Sequence, residues 1–444
     1  MNRIKVSLAA VIAALTMVPA FAAGDKNSDS DRQHVLKIYN WADYIDEDLL
    51  YNEFPKWYKE QTGEDIKIVY SLFDINEIML TKIEKGHEDY DVACPSDYII
   101  ERMLRNDLLL PLNKDFGDTP NYLEESVSPF AKMMFSKLEA SGKDANDYAV
   151  GYMWGTTGFL YNTAYVNDDE VTSWSAITNP KFAGHLFVKD AFRDVYGPLL
   201  MMLRQDDLNS GKVTRHQLAF DTSDESIALV EEYLKSCKEN IAGWEQDFGK
   251  ERMVQGKGWL NLTWSGDASW AIEEAAELGV DLRYTVPQEG SNYWFDGWVI
   301  PKYAKNQKAA NYFINFMCKP ENAIRNMNEI GYVSVCASPE ILEAMEDPEA
   351  YPETVNVSYM FGEGADSLHL NPVMYPDQSV IDRCDMMHDS GDRTDALLEM
   401  WSRVKGDNMS MIIYVVIAVA ILAVAYAAYA SNKKKKSHRR KTRR

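Results

Sequence analysis

Three tryptophan–aspartate pairs, Trp41/Asp43, Trp264/Asp267 and Trp294/Asp296, are each expected at a strand end. An indole offers a flat apolar face that attracts cations, and a carboxylate offers a full negative charge. Together they suit a cationic organic ligand, with rings against its stem and anions at its head. Tyr44, Ser96, Tyr98, Asp194 and Tyr332 occupy comparable places, so they join the six as candidate ligand-binding residues. The chain has no Gly-rich phosphate loop, no His-Glu-x-x-His and no Gly-x-Ser-x-Gly, and its 7 histidines are scattered without ligand spacing. No metal, no cofactor and no catalytic residue is therefore expected. An enzyme would have to work with carboxylates alone, as glycosidases do.

The elements that must position these residues alternate between strand and helix. Residues 34–38 alternate in polarity like a strand, and 47–61 read as an amphipathic helix stopped by Thr62-Gly63. Residues 66–73 read as strand, 75–85 as helix, 90–94 as a buried strand, and a further helix runs to about Asn106. That order implies a largely parallel sheet with right-handed crossovers, and ligands lie at the carboxyl ends of such strands. Apolar stretches rich in small residues, 152–162 and 293–301, read as crossings between two lobes. Between them, 186–190 and 258–262 read as strands, each followed by a helix that begins near Asp194 or Asp267. A carboxylate is favourable in that first turn. Helices are also expected at 306–317, 323–328 and 392–404.

Both ends carry patterns distinct from the alternating body of the chain. Residues 1–23 combine a basic start, a short apolar run and Ala20-Phe21-Ala22, the pattern of a secretory signal peptide, and a polar leader follows over 24–35. Residues 411–430 carry no charge, long enough for a transmembrane helix, and the basic tail 431–444 follows. The expected topology is an exported domain held to the bacterial inner membrane by that helix, with the tail in the cytoplasm. Setting the cations of tail and signal peptide aside leaves the domain more acidic still than the whole-chain −22. Such a field gathers cations and argues against nucleic acid as a partner. The 5 cysteines show no Cys-x-x-Cys, and their odd number leaves at least one thiol free.

In combination, residues 39–44, 91–98, 152–162, 190–195, 264–267 and 294–301 resemble the polyamine-binding proteins, the putrescine/spermidine receptors of ABC importers. The resemblance covers roughly residues 35–405. It implies an α/β, type II periplasmic-binding-protein fold with a ligand cleft at the hinge: lobe 1 from 36–150 and 297–340, lobe 2 from 151–296 and 341–405. It implies that Trp41, Tyr44, Trp264, Trp294 and Tyr332 wall a methylene chain and that Ser96 and Tyr98 line the same cleft. Asp43 and Asp296 would hold one ammonium, Asp194 and Asp267 the other. Both acidic pairs resemble putrescine receptors, while Tyr98 and Trp294 are more like spermidine receptors. Met387 stands where some relatives place a Gln. The expected partners are a polyamine and ABC permease subunits, with putrescine favoured and spermidine possible. A polyamine sensor subunit would bind the same ligand and signal through a partner.

Overall fold

The expected alternation of strand and helix builds a mixed sheet in the computed structural model, which describes residues 32–246 and 248–406. Its strands are β1 Val35–Trp41, β2 Lys67–Phe73, β3 Val92–Ala93, β4 Leu109–Leu110, β5 Ala149–Asn162 and β6 Leu186–Lys189. The rest are β7 Ile241–Glu245, β8 Leu260–Trp264, β9 Leu282–Thr285, β10 Ser291–Pro301, β11 Val333–Ser334 and β12 Cys384–Met386. The main path runs β2-β1-β3-β10-β5-β8-β6-β7. β1 is parallel to β2 and β3, and β6 is parallel to β7 and β8. The antiparallel pair β5/β10 joins these parallel halves.

β5 and β10 are the two expected crossings, and every residue in both is buried. Small residues make that close pairing feasible. A Cβ at Gly155 would lie 2.7 Å from the Trp294 ring and 2.6 Å from Ser265 Oγ, so only glycine admits the indole there.

Helices cover the sheet. α1 (Phe54–Thr62) ends at Gly63 in the left-handed conformation, φ 76°, the stop expected from Thr62-Gly63. The residues before it, Leu49–Glu53, form a π-helical turn, which divides what reads as one helix in the sequence. α2 (Asn76–Glu84) and α3 (Asp97–Arg105) follow β2 and β3. α4 (Phe192–Leu203), α5 (Arg215–Phe220), α6 (Ser265–Glu277) and α7 (Thr394–Lys405) belong to the second half.

The buried apolar residues form one large cluster from residues 36–154 and 286–387, a second from residues 159–262 with Leu397 to Val404, and a small third of Leu160, Met253, Val254, Ala268, Ala271, Ala275 and Leu282. The two larger cores, on either side of the paired crossing strands, make a two-lobed α/β periplasmic-binding fold. Packing divides the segment 341–405, which the sequence placed wholly in lobe 2: Ile341 to Met387 join the first core.

The expected membrane attachment is corrected. Among the described residues no helix is long and apolar enough to cross a membrane. The longest, Asp224–Cys237, has 14 residues, whereas a span needs about 20. A C-terminal transmembrane helix, and with it anchoring to the inner membrane, is not supported. The segment 411–430 lies outside the described residues, as do the signal peptide and the basic tail.

Candidate ligand-binding site

Asp296 lies on β10, where an isolated bridge pairs it with Ser96 just before α3. Ser96 Oγ donates to Asp296 Oδ1 at 2.7 Å, and Tyr44 OH donates to Oδ2 at 2.8 Å. Burial pushes the Asp296 carboxyl up to about 6, although the two hydroxyls pull the other way. Asn76, at the start of α2, donates to Ser96 Oγ and to Tyr98 OH, both at 2.9 Å, and so fixes both expected lining residues.

Asp194 stands in the first turn of α4, 6% exposed. It accepts from Thr157 Oγ1 at 3.1 Å and from the Trp264 side chain. Burial raises it above the ordinary carboxylate range, with those two hydrogen bonds and the nearby cations Lys189 and Arg193 opposing. Repulsion from Asp194 adds to the rise at Asp296. Among the described residues neither Asp194 nor Asp296 has an ion-pair partner.

Asp267, in the first turn of α6, differs. Lys189 Nζ, at the end of β6, lies 2.7 Å from its Oδ2, and Lys250 Nζ lies 3.3 Å from Oδ1. Burial pushes Asp267 up, but Lys189 and Lys250 more than reverse that, and its carboxyl sits below the usual range. The Lys189 ammonium is buried, donates to the Gln246 carbonyl, lies 3.5 Å from Glu245 and sits 4.1 Å above the Trp264 ring. Asp267 thus has a counter-ion from its own chain, where the resemblance gives it a share of a ligand ammonium.

Tyrosines connect the two acidic positions. Tyr332 OH donates to Asp267 Oδ1 at 2.9 Å, while its ring meets Tyr44 edge-on at 5.3 Å and Trp294 at 5.7 Å. Tyr44 then reaches Asp296. Tyr44, Ser96, Trp294, Asp296, Tyr332, Asp267, Trp264 and Asp194 are thereby linked contact by contact. Tyr98 is tied in through Asn76. Trp41 packs on Phe73 at 4.5 Å at the ends of β1 and β2, its Nε1 buried without a hydrogen-bond partner among the described residues. Asp43 is exposed in a left-handed turn, φ 50°, and no hydrogen bond among the described residues holds its carboxylate. A broad surface depression beside Arg105 and residues 138–144 contains none of these groups.

Lys189, Arg193, Asn76 and Thr157 are absent from the sequence-derived set. The Arg193 guanidinium lies 3.9 Å from the Tyr98 ring centre and pairs with Glu77 at 2.7 Å. Lys189 did leave a signal: a lysine closes the apolar run Leu186-Phe187-Val188, in a strand buried throughout. A charge in such a strand demands a buried partner. Asp190, its neighbour, turns away and binds Lys405 Nζ and Trp401 Nε1 on α7.

The family of bacterial extracellular solute-binding proteins matches this chain over residues 55–353. The chain is 30% identical over 336 residues to the putrescine-binding periplasmic protein PotF of Escherichia coli, covering 72% of this chain and 84% of that one. It is 29% identical over 343 residues to the spermidine/putrescine-binding periplasmic protein of the same organism, covering 76% and 89%. Among solved structures, a putative spermidine/putrescine ABC transporter protein from Listeria monocytogenes superimposes with a TM-score of 0.65 at 30% identity, over 84% of this chain and 99% of that one.

Proposed function

Since the chain belongs to the family of bacterial extracellular solute-binding proteins, we propose that it binds a polyamine, putrescine in preference to spermidine, and delivers it to an ABC importer. The observation that carries this reading is the pair of buried carboxylates, Asp194 and Asp296, each of which, among the described residues, is hydrogen-bonded by neutral donors and ion-paired with none. A buried charge without a partner is costly. Two of them that also repel each other favour a ligand bearing two ammoniums. Tyr44, Trp264, Trp294 and Tyr332 then face the methylenes, each worth about 0.8 kcal/mol on burial. Asp267 acts through Tyr332 and Lys189, as a positioning group. Similarity to relatives named for putrescine and spermidine supports the ligand class.

Calorimetric titration of the purified protein tests the reading. Putrescine and spermidine give saturable heat at one site per chain, and a neutral amino acid gives none. Absence of heat with both polyamines would sink the proposal.

The same titration has a pH signature. A cationic ligand needs Asp296 ionised, and its carboxyl titrates at about 6. Affinity should therefore fall by about tenfold between pH 7 and pH 5. For the fold the sign is opposite. The raised value means that Asp296 contributes stability below the ordinary carboxylate range, and this is lost as pH rises through about 6. A flat affinity from pH 7 to 5 would remove Asp296 from the ligand.

A comparison of two neighbouring acids separates site from scaffold. Asp267→Ala removes a carboxylate that both the Tyr332 hydroxyl and the Lys189 ammonium engage beside the cleft. Asp190→Ala breaks contacts to α7 alone. Putrescine binding should weaken at least tenfold in the first and by less than threefold in the second, and equal losses would refute the assignment.

A further inference from the structure

The histidines are scattered in the sequence, but the fold brings two of them together with an aspartate outside the polyamine site. His216 is on α5, Asp385 in β12, and His388 two residues past that strand. One donor atom from each lies within 4.8 Å of the other two. His216 Nδ1 is 3.5 Å from Asp385 Oδ2. We propose that these three side chains bind one divalent cation of the zinc class.

Three features favour a metal over an accidental cluster. Two imidazoles and one carboxylate form a donor set that suits zinc and its late first-row neighbours, whereas magnesium and calcium require mostly oxygen. The buried residue is already oriented: the His388 ring stacks on Phe220 at 3.8 Å, and its Nδ1 lies 3.4 Å from Glu101 Oε2. A carboxylate on one ring nitrogen is the usual support for a histidine that ligates through the other. Asp385 is oriented too, because its Oδ1 accepts from the Met386 backbone N–H at 2.8 Å.

Tetrahedral zinc with bonds near 2.1 Å needs donors about 3.4 Å apart. His216 Nδ1 and Asp385 Oδ2 already stand 3.5 Å apart, and all three donors lie within 4.8 Å, so small side-chain shifts are needed to close on an ion. A cavity of about 40 Å³, lined by Asp385, His388, Asn292 and Ser390, adjoins the cluster and supplies room for a water as fourth ligand. Arg193 also lines it, but pairs with Glu77.

The position gives the ion a structural consequence. α5 contributes Leu218 to the second core, while β12 contributes Cys384 and Met386 to the first. His388 and Asp389 are tied to α3 through Glu101, Arg102 and Arg105. A cation held by both His216 and His388 clips the lobes together beside the crossing strand β10, with which β12 pairs.

Titration of the full chain with zinc chloride tests this, with magnesium chloride as control. Zinc binds at one ion per chain with a micromolar or tighter dissociation constant through this site, and magnesium gives no heat. His216→Ala and Asp385→Asn each weaken zinc binding at least tenfold. His216 is exposed, so its replacement leaves the core folded, as an unchanged circular dichroism spectrum verifies. No stoichiometric zinc binding, or a His216→Ala variant that binds as tightly as its parent, overturns the proposal.

Discussion

Asp296→Asn is expected to lower putrescine affinity at least a hundredfold at pH 7.5 while leaving the melting temperature of the ligand-free protein unchanged or higher. Truncating one partner of a buried, hydrogen-bonded charge pair costs about 2–5 kcal/mol of binding. In the free protein the balance reverses. Asp296 is buried, has only hydroxyl donors among the described residues, and is pushed up to about 6, so its ionisation at neutral pH opposes folding. Asparagine keeps the shape and an acceptor for one hydroxyl, and Ser96 or Tyr44 can turn to accept from its amide. Binding sites commonly hold residues that lower stability in this way. Calorimetry and thermal melts of both proteins decide the matter. A variant that loses stability and affinity together would mean that Asp296 belongs to the scaffold.

The division between legible and illegible parts of the chain follows from the range of the interactions. The parallel halves and both crossings could be read because strand and helix periodicity is local, and because runs such as Ala149–Asn162 stay apolar on both faces. The stop of α1 could be read from Thr62-Gly63 because a left-handed cap is a demand on one residue. The partner of Asp267 could not. It depends on β6 lying parallel to β8, which brings the end of one strand beside the helix that follows the other. No spacing in the sequence encodes that proximity. Asn76 escaped for the same reason, since its role rests on α2 facing the start of α3 across the strand ends. Asp190 and Asp194 are both acids near the start of α4, yet only Asp194 faces Thr157 and Trp264. The side on which a helix meets its lobe sorts them, and that is settled by packing.

Lys189→Met is expected to destabilise the ligand-free protein by about 3–5 kcal/mol and to shift preference toward spermidine by at least tenfold relative to putrescine. The first effect follows from breaking a buried ion pair by removing one partner. Lys189 is 1% exposed at its side chain, and among the described residues its loss leaves Asp267 with Lys250 as its one cation beside the Tyr332 hydroxyl, and Glu245 with no ammonium. Methionine fills the stem's volume but returns no charge. The pH dependence has a definite sign: Asp267 sits below the ordinary carboxylate range because of its cations, so its contribution is present above that range and lost on acidification. The variant should lose part of that acid sensitivity. The second effect follows from counting carboxylates. In the parent, Lys189 neutralises Asp267 and leaves Asp194 and Asp296 for a dication. In the variant a third carboxylate opens beside the Trp264 ring, where the lysine ammonium had been. Spermidine brings a third ammonium and putrescine does not. Spermidine should accordingly restore most of the lost stability, since a ligand at a hundred times its dissociation constant contributes about 2.7 kcal/mol. Thermal melts with each polyamine, alongside a competition titration, measure both effects. An unchanged putrescine-to-spermidine ratio would show that the lysine only supports the fold and takes no part in choosing the ligand.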